Sequence, residues 1–152
     1  SSSSGVFGNF GQSNYGSAKM AMVGLMNTLK IEGQKYNIHT NSITPVAYTR
    51  MTDGLLPEEA GKSLQPQYVT PAVIYLSGDD APNGAIVSAG AGVFSRIFIH
   101  ETDGVSLGLG EEMTPENIAA SWDSISDMKG AKALQSGPEQ SIKIFEKLNQ
   151  SD

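Results

Sequence analysis

Residues 1–20 read SSSSGVFGNFGQSNYGSAKM: a serine run, a stretch punctuated by Gly5, Gly8 and Gly11, and then the opening of a helix that carries Tyr15 and Lys19. The glycine spacing predicts a loop over the first dozen residues. The helix follows with Ser13 as its expected cap. Ala18, Ala21, Met22, Leu25, Met26 and Leu29 recur at helical spacing before Gly33 closes it. Within that helix Tyr15 and Lys19 stand four residues apart, so both project from one face. The pairing suits oxidoreduction of an alcohol. A free phenol titrates near ~10, and a cation beside it favours the phenolate, which makes a tyrosine usable as a general acid/base. By itself the pair is better read as two exposed side chains on a helix.

Reading outward, Tyr36 to Ile43 is short and partly β-branched, bounded by Pro45, and predicts a strand. Met51 to Gln67 is polar and carries Gly54, Pro57, Gly61 and Pro66, the pattern of a long loop or broken helix of the kind that serves as a lid. Pro71 opens a helix with Val73, Ile74 and Leu76 that ends at Gly78. Asn83-Gly84 marks a turn, and Ala85-Ile86-Val87 a brief second strand. Beyond Gly92 the texture changes. Val93 to Ile99 is apolar, Gly104 to Gly110 is a glycine-rich loop, and helices start at Thr114-Pro115 and Ser136-Gly137-Pro138. Ile118, Trp122 and Ile125 form one apolar stripe; Ile142, Phe145 and Leu148 form another. Trp122, Met20, Met22 and Met26 read as packing residues.

Alternating strands and helices define an α/β fold with a parallel sheet over residues 1–99, followed by a mostly helical extension over residues 100–152. Two short strands do not make a self-sufficient parallel sheet, which needs several strands and cover on both faces. The expectation is therefore that Ser1 to Ser4 end a strand lying outside this sequence.

Composition narrows the functional classes. The chain has no cysteine and only His39 and His100 as imidazoles, which argues against thiolate or histidine-rich metal sites. Both histidines read as structural. No apolar run reaches the ~20 residues of a membrane span, and the C-terminal Gln150-Ser151-Asp152 is not a peroxisomal address. The net charge of -6 is uneven: residues 1–99 hold six acids and six bases, residues 100–152 ten acids and four bases. An acidic tail repels phosphate, so nucleic acid is not an expected partner.

Context gives the Tyr15/Lys19 pair its meaning. Ser2 lies thirteen residues before Tyr15, with Gly8-Asn9-Phe10-Gly11-Gln12 between, and Asn41-x-x-x-Pro45 follows with Thr49, Arg50, Met51 and Thr52 behind it. This ordered set resembles the short-chain dehydrogenase/reductase family. The resemblance implies the C-terminal half of a Rossmann-like, doubly wound parallel sheet, with Ser2 positioning the substrate oxygen and Tyr15 exchanging its proton. It implies that Lys19 binds the nicotinamide ribose and aids Tyr15, and that Tyr15, Lys19, Pro45 and Thr49 form the cofactor contacts. Val46 departs from the family pattern, where glycine follows the proline, and the loop is one residue shorter than usual. Gly5-x-x-Gly8-x-x-Gly11 is not a dinucleotide fingerprint, since no strand precedes it and its spacing differs. The glycine-rich phosphate loop and the residue that selects NAD over NADP belong upstream of Ser1.

A narrower resemblance, to the dehydrogenase unit of the peroxisomal multifunctional enzyme type 2 group, rests on Gly8 through Gln12 with Asn14-Tyr15, and on Ile31-Glu32-Gly33, Asn37-Ile38-His39 and Arg50-Met51-Thr52. It continues into Gly90-Ala91-Gly92, Met113-Thr114-Pro115-Glu116 and Trp122. It implies oxidation of (3R)-hydroxyacyl-CoA to 3-ketoacyl-CoA with NAD, NADP not being excluded, and a homodimer formed through the helix bearing Ala18, Met22 and Leu25. Val46, Met51, Leu55 and Leu56 would line the acyl channel, and Arg50 and Lys62 would meet the CoA phosphates. The chain by itself is expected to be inactive. Its implied location is the cytoplasm in a bacterium and the peroxisome in a eukaryote. Two alternatives stand beside this reading: a 3-oxoacyl thioester reductase using NADPH, and a non-catalytic dimerisation fragment.

Overall fold

The serine run turns helical at once. Ser3–Val6 form a short helix, α1, where a loop is expected from the glycines, and Ser2 caps it by accepting the Ser4 N–H at 3.2 Å. The computed structural model describes residues 1–50, 52 and 57–150, and its chain divides into two compact units, Ser1–Ile97 and Phe98–Asp152. In the first unit α1 leads into the long helix α2 (Ser13–Glu32), which is closed by Gly33 as expected. Gln12, not Ser13, occupies the cap, and it makes no side-chain capping bond. Ser13 is already helical, and its carbonyl accepts the Ser17 hydroxyl at 2.7 Å.

Strand β1 is Ser42–Pro45, later and shorter than the Tyr36–Ile43 stretch predicted. Gln34–Tyr36 instead form a 3-10 turn that ends on Asn37 in the left-handed region at φ 56°. Aromatic and β-branched composition suggested a strand there, but this turn and Asn37 delay the chain's entry into the sheet. After β1 come α3 (Glu58–Ser63), a 3-10 turn at Pro66–Tyr68, and α4 (Thr70–Leu76), so residues 57–67 realise the broken-helix alternative.

Strand β2 (Ile86–Gly90) pairs parallel with β1, Ser42 opposite Ile86 and Pro45 opposite Ala89. A third strand, β3 (Val93–Ile97), runs antiparallel to β2, so among the described residues the sheet has three strands and is mixed. The two-strand reading undercounted. The missed signal is Ala91-Gly92, with φ of 51° and 75°, the paired positive values of a two-residue hairpin turn. Ala is an uncommon first residue for that turn, which hid it.

Pleat alternation splits the sheet between two covers. On one face Ile86 and Ile97 meet Val23, Met26 and Met20 of α2. On the other, Val87, Ala89 and Ile43 meet Val69 and Ala72 at the start of α4. Helices on both faces of a sheet with a parallel pair are the doubly wound arrangement. The buried stripe of α2 is Val23, Met26 and Lys30, whereas Met22, Leu25 and Leu29 face outward. The helix thus carries two apolar faces, and the sheet takes only one. Met22, read as packing from its type, lies on the outward face. One side chain then locks the turn before β2: Asn41 Nδ2 donates to the Pro82 carbonyl at 2.6 Å and its Oδ1 accepts the Ala85 N–H at 2.9 Å.

In the second unit Thr114 caps α5 (Pro115–Ala120) and Ser136 caps α7 (Gly137–Asn149), as read from the sequence, while α6 (Trp122–Ser126) interrupts the expected single stripe. Trp122, Ile142 and Phe145 are exposed rather than packed. The attached face of α7 is electrostatic instead. Lys143 pairs with Glu101 at 2.7 Å and donates to the Thr102 carbonyl, and Lys147 pairs with Asp103 at 2.5 Å. Glu101 also bridges Lys132 through backbone bonds. Among the described residues no helix is long and apolar enough to cross a membrane.

Hydrogen bonding from Lys143 first, with Gln140 adding to it, holds the Glu101 carboxyl below its ordinary range. The Lys147 hydrogen bond, with that lysine's charge, does the same for Asp103. Depressed folded-state values mean that the contribution to stability is complete above the ordinary carboxylate range near ~4 and is lost as pH falls through the lower folded values. Carboxyl-carbon NMR titration should show both midpoints depressed, and Lys143→Met should return that of Glu101 toward normal. An unchanged Glu101 midpoint in the variant would show that the pair does not form.

Candidate active site

Tyr15 stands on the first turn of α2, with its N–H bonded to the Asn14 side chain at 2.8 Å, and Lys19 lies one turn later. The Lys19 Nζ sits 5.3 Å from the centre of the Tyr15 ring, inside cation–π range. Tyr15 remains 40% exposed, so its phenol is open to a small molecule. The helix therefore brings this predicted pair together.

Ser2 arrives by a different route. A Cβ on Gly5 would fall 2.8 Å from Lys19 Cβ and 2.9 Å from both the Lys19 carbonyl carbon and the Met20 nitrogen, so α1 rests directly on the α2 backbone. Gly16 lets the Ser4 carbonyl approach in the same way, its own notional Cβ lying 3.0 Å from that oxygen. On the other side of Ser2, the Ser1 hydroxyl donates to the Lys19 carbonyl at 2.8 Å. Ser2 is thus flanked on both sides by contacts to the turn that carries Lys19. Its Oγ accepts the Ser4 N–H, which orients the side chain and leaves its own O–H to donate.

The sheet supplies the rest. The Ser1 backbone nitrogen donates to the Ile43 carbonyl at 2.9 Å, which ties the serine segment to β1. Pro45 ends that strand about 7 Å further along. Thr49 follows in a tight turn, its N–H donating to Thr52 Oγ1 at 2.7 Å. Both residues lie at the carboxyl end of a parallel strand, where open α/β sheets bind their ligands. Tyr48, between them, donates its N–H to the Leu64 carbonyl at 2.7 Å, and its ring packs on Gly61 of α3. That link from the strand end to α3 was not read from the sequence; an aromatic placed between Pro45 and Thr49, with a glycine in the following polar segment, is its only trace. Val46, Arg50 and Lys62 are exposed, while Met51, Leu55 and Leu56 lie outside the described residues. His39 is held structurally, its Nδ1 lying 2.8 Å from the Ala81 carbonyl.

An open apolar cleft of about 380 Å³ lies between α4 and the sheet, lined among others by Tyr75, Val87 and Phe94. It belongs to the α4 face, whereas Tyr15 and Lys19 belong to the helix on the opposite face. Its walls carry few polar groups.

Residues 1–60 match the short chain dehydrogenase family. It is 45% identical over 132 residues to a short-chain type dehydrogenase/reductase of Mycobacterium tuberculosis, covering 86% of this chain and 46% of that protein. It is 41% identical to peroxisomal multifunctional enzyme type 2 of Mus musculus, over 100% of this chain and 21% of the mouse protein. The solved full-length peroxisomal multifunctional enzyme type 2 of Drosophila melanogaster superposes with a TM-score of 0.85 at 34% identity, over 99% of this chain and 28% of its own. The chain spans less than half the length of these relatives.

Two glycines on α2's side of the fold separate contact from propensity. Gly5→Ala should destabilise the chain by about 1–3 kcal/mol, because its methyl group would meet backbone. Gly24→Ala, in open space on α2, should be neutral or stabilise by up to about 1 kcal/mol. Denaturant unfolding of both variants checks this; equal effects would contradict the close seating of α1.

Proposed function

We propose that this chain is the catalytic half of an oxidoreductase that interconverts a 3-hydroxyacyl-CoA and a 3-ketoacyl-CoA with a nicotinamide cofactor. The observation that carries the reading is the docking of the Ser2 segment on the turn of α2 that presents Tyr15 and Lys19. In the oxidation direction Tyr15 Oη takes the substrate hydroxyl proton, and the Ser2 hydroxyl donates a hydrogen bond to the same oxygen as it becomes a carbonyl. The Lys19 ammonium offsets the negative charge of the Tyr15 phenolate, the form that accepts the proton. The residues present fit the nicotinamide end of a dinucleotide: Lys19 offers donors for ribose hydroxyls, and Thr49, at the strand end, for the carboxamide. When bound, that cofactor supplies the acceptor for the hydride. NAD is the favoured dinucleotide, in keeping with the narrower resemblance, which also supports the CoA thioester.

In the full-length enzyme carrying this sequence, Tyr15→Phe should cut turnover by about 100- to 10,000-fold, the usual worth of acid/base catalysis, while nucleotide affinity stays nearly intact. Lys19→Met should weaken both, since it removes a ribose donor and the cation beside Tyr15. Turnover retained in the phenylalanine variant would overturn the assignment. Comparison of kcat/KM for acyl-CoA, acyl-carrier and steroid substrates with NAD and NADP tests the substrate; preference for an acyl-carrier thioester with NADPH would favour reduction instead.

A second copy of the chain is the proposed partner of α2. Met22 and Leu25 are 47% and 54% exposed on the face turned away from the sheet, and an apolar face of this kind is characteristic of a helix pairing site. Leu25→Glu should shift the species seen by sedimentation toward the monomer. A wild-type chain that sediments as a monomer at all concentrations would rule this pairing out.

A further inference from the structure

The serine run has a second member with work to do. We infer that Ser1 is a positioning residue for the proposed reaction: its hydroxyl sets where Ser2 stands relative to Tyr15 and Lys19. The inference rests on the oxidoreductase reading above, and goes beyond it by adding a residue that never touches substrate.

Ser1 is the one residue of the serine run whose polar groups reach both neighbouring elements. Its backbone nitrogen donates to the Ile43 carbonyl of β1 at 2.9 Å, and its Oγ donates to the Lys19 carbonyl of α2 at 2.8 Å. The second bond is unusual in kind. Lys19 lies inside a 20-residue helix, so its carbonyl is already the intrahelical acceptor for the residue one turn on, and Ser1 uses its remaining lone pair. A hydroxyl reaching into a helix ladder fixes the distance between two backbones, not merely the side chain that makes it. Both elements that hold the chemistry are thereby clamped to the residue just before Ser2.

Downstream of Ser2 the restraint is of another type. Gly5 sits against Lys19 and Met20 by contact alone, with no room for a Cβ. Such a contact resists closer approach but does little against the segment lifting away. The Ser1 hydroxyl supplies the attractive half of the clamp. Without it, Ser2 keeps its cap to Ser4, and α1 keeps its shape, but the pair is free to drift from the Tyr15 turn. A displacement on the order of 1 Å in a group that orients the reacting atoms costs up to about 100-fold in rate. Ground-state binding by Lys19 and Thr49 is untouched, since neither side chain bonds the Ser1 hydroxyl.

A double-mutant cycle in the full-length enzyme tests this. Ser1→Ala should lower kcat by about 10- to 100-fold and change KM for dinucleotide and substrate by less than about threefold. Ser1→Thr, which keeps the hydroxyl, should restore most of the rate. In a Ser2→Ala background the further change Ser1→Ala should have almost no effect, because the group it positions is gone. Additive losses, a rise confined to KM, or failure of threonine to rescue would each overturn the proposal and leave Ser1 a structural residue only. The cycle is run on whichever alcohol the wild-type enzyme oxidises. An enzyme active on another alcohol but not on 3-hydroxyacyl-CoA removes the substrate reading while the cycle still decides the role of Ser1. One that oxidises no alcohol removes both.

Discussion

Backbone contact between α1 and α2 is the constraint on which the rest of the site depends. Tyr15 and Lys19 need no help to face the same way, because helical geometry does that for any i, i+4 pair. Ser2 has no such guarantee, being separated from them by a glycine-punctuated stretch. What seats its segment on their helix is Gly5, whose missing side chain lets α1 lie on the Lys19–Met20 backbone. The same approach lets the Ser1 hydroxyl reach the Lys19 carbonyl. A residue with a Cβ at position 5 would push the serine segment away from the tyrosine turn and part the side chains of the proposed site.

The sheet converts this local contact into a fixed frame. Ile43 accepts from Ser1 on one edge of β1, and β2 pairs with the other. Ile86 and Val87, adjacent in β2, point to opposite covers, one under α2 and one under α4. The helix bearing Tyr15 and the strand end bearing Pro45 and Thr49 are thus held by one small sheet with buried cores on both faces. The apolar cleft over α4 lies on the other face of the sheet from α2.

Much of this frame was legible in residues 1–20 and 41–52, because the serine, tyrosine and lysine of the proposed site are ordered in sequence and two of them share a helix. The long helix, its glycine stop, and the caps at Thr114 and Ser136 followed from local chemistry that tertiary structure had no reason to override. The misreadings have physical causes. The glycines of the first loop concealed a one-turn helix, since Gly5 is there for close approach rather than for a turn. Ala91-Gly92 hid a hairpin, and with it β3, because alanine at positive φ is uncommon. Met22 was read as packing from its type, though a helix covering a three-stranded sheet buries only a narrow part of its surface. In the tail, Ile142 and Phe145 suggested a packed face, but α7 is held by Lys143 and Lys147, whose role depends on carboxylates some 40 residues away in sequence.

The central claim is that α1 lies on the α2 backbone at Gly5, and one measurement addresses it without substrate or cofactor. The α proton of Gly5 that takes the place of a Cβ lies against Lys19 Cβ and the Lys19–Met20 peptide, so an isotope-labelled chain should show a strong nuclear Overhauser effect between the Gly5 α protons and the Lys19 β protons. Its absence, with the sequential effects of α2 intact, would mean that the serine segment does not rest on the tyrosine helix, and the proposed site would dissolve into unconnected parts.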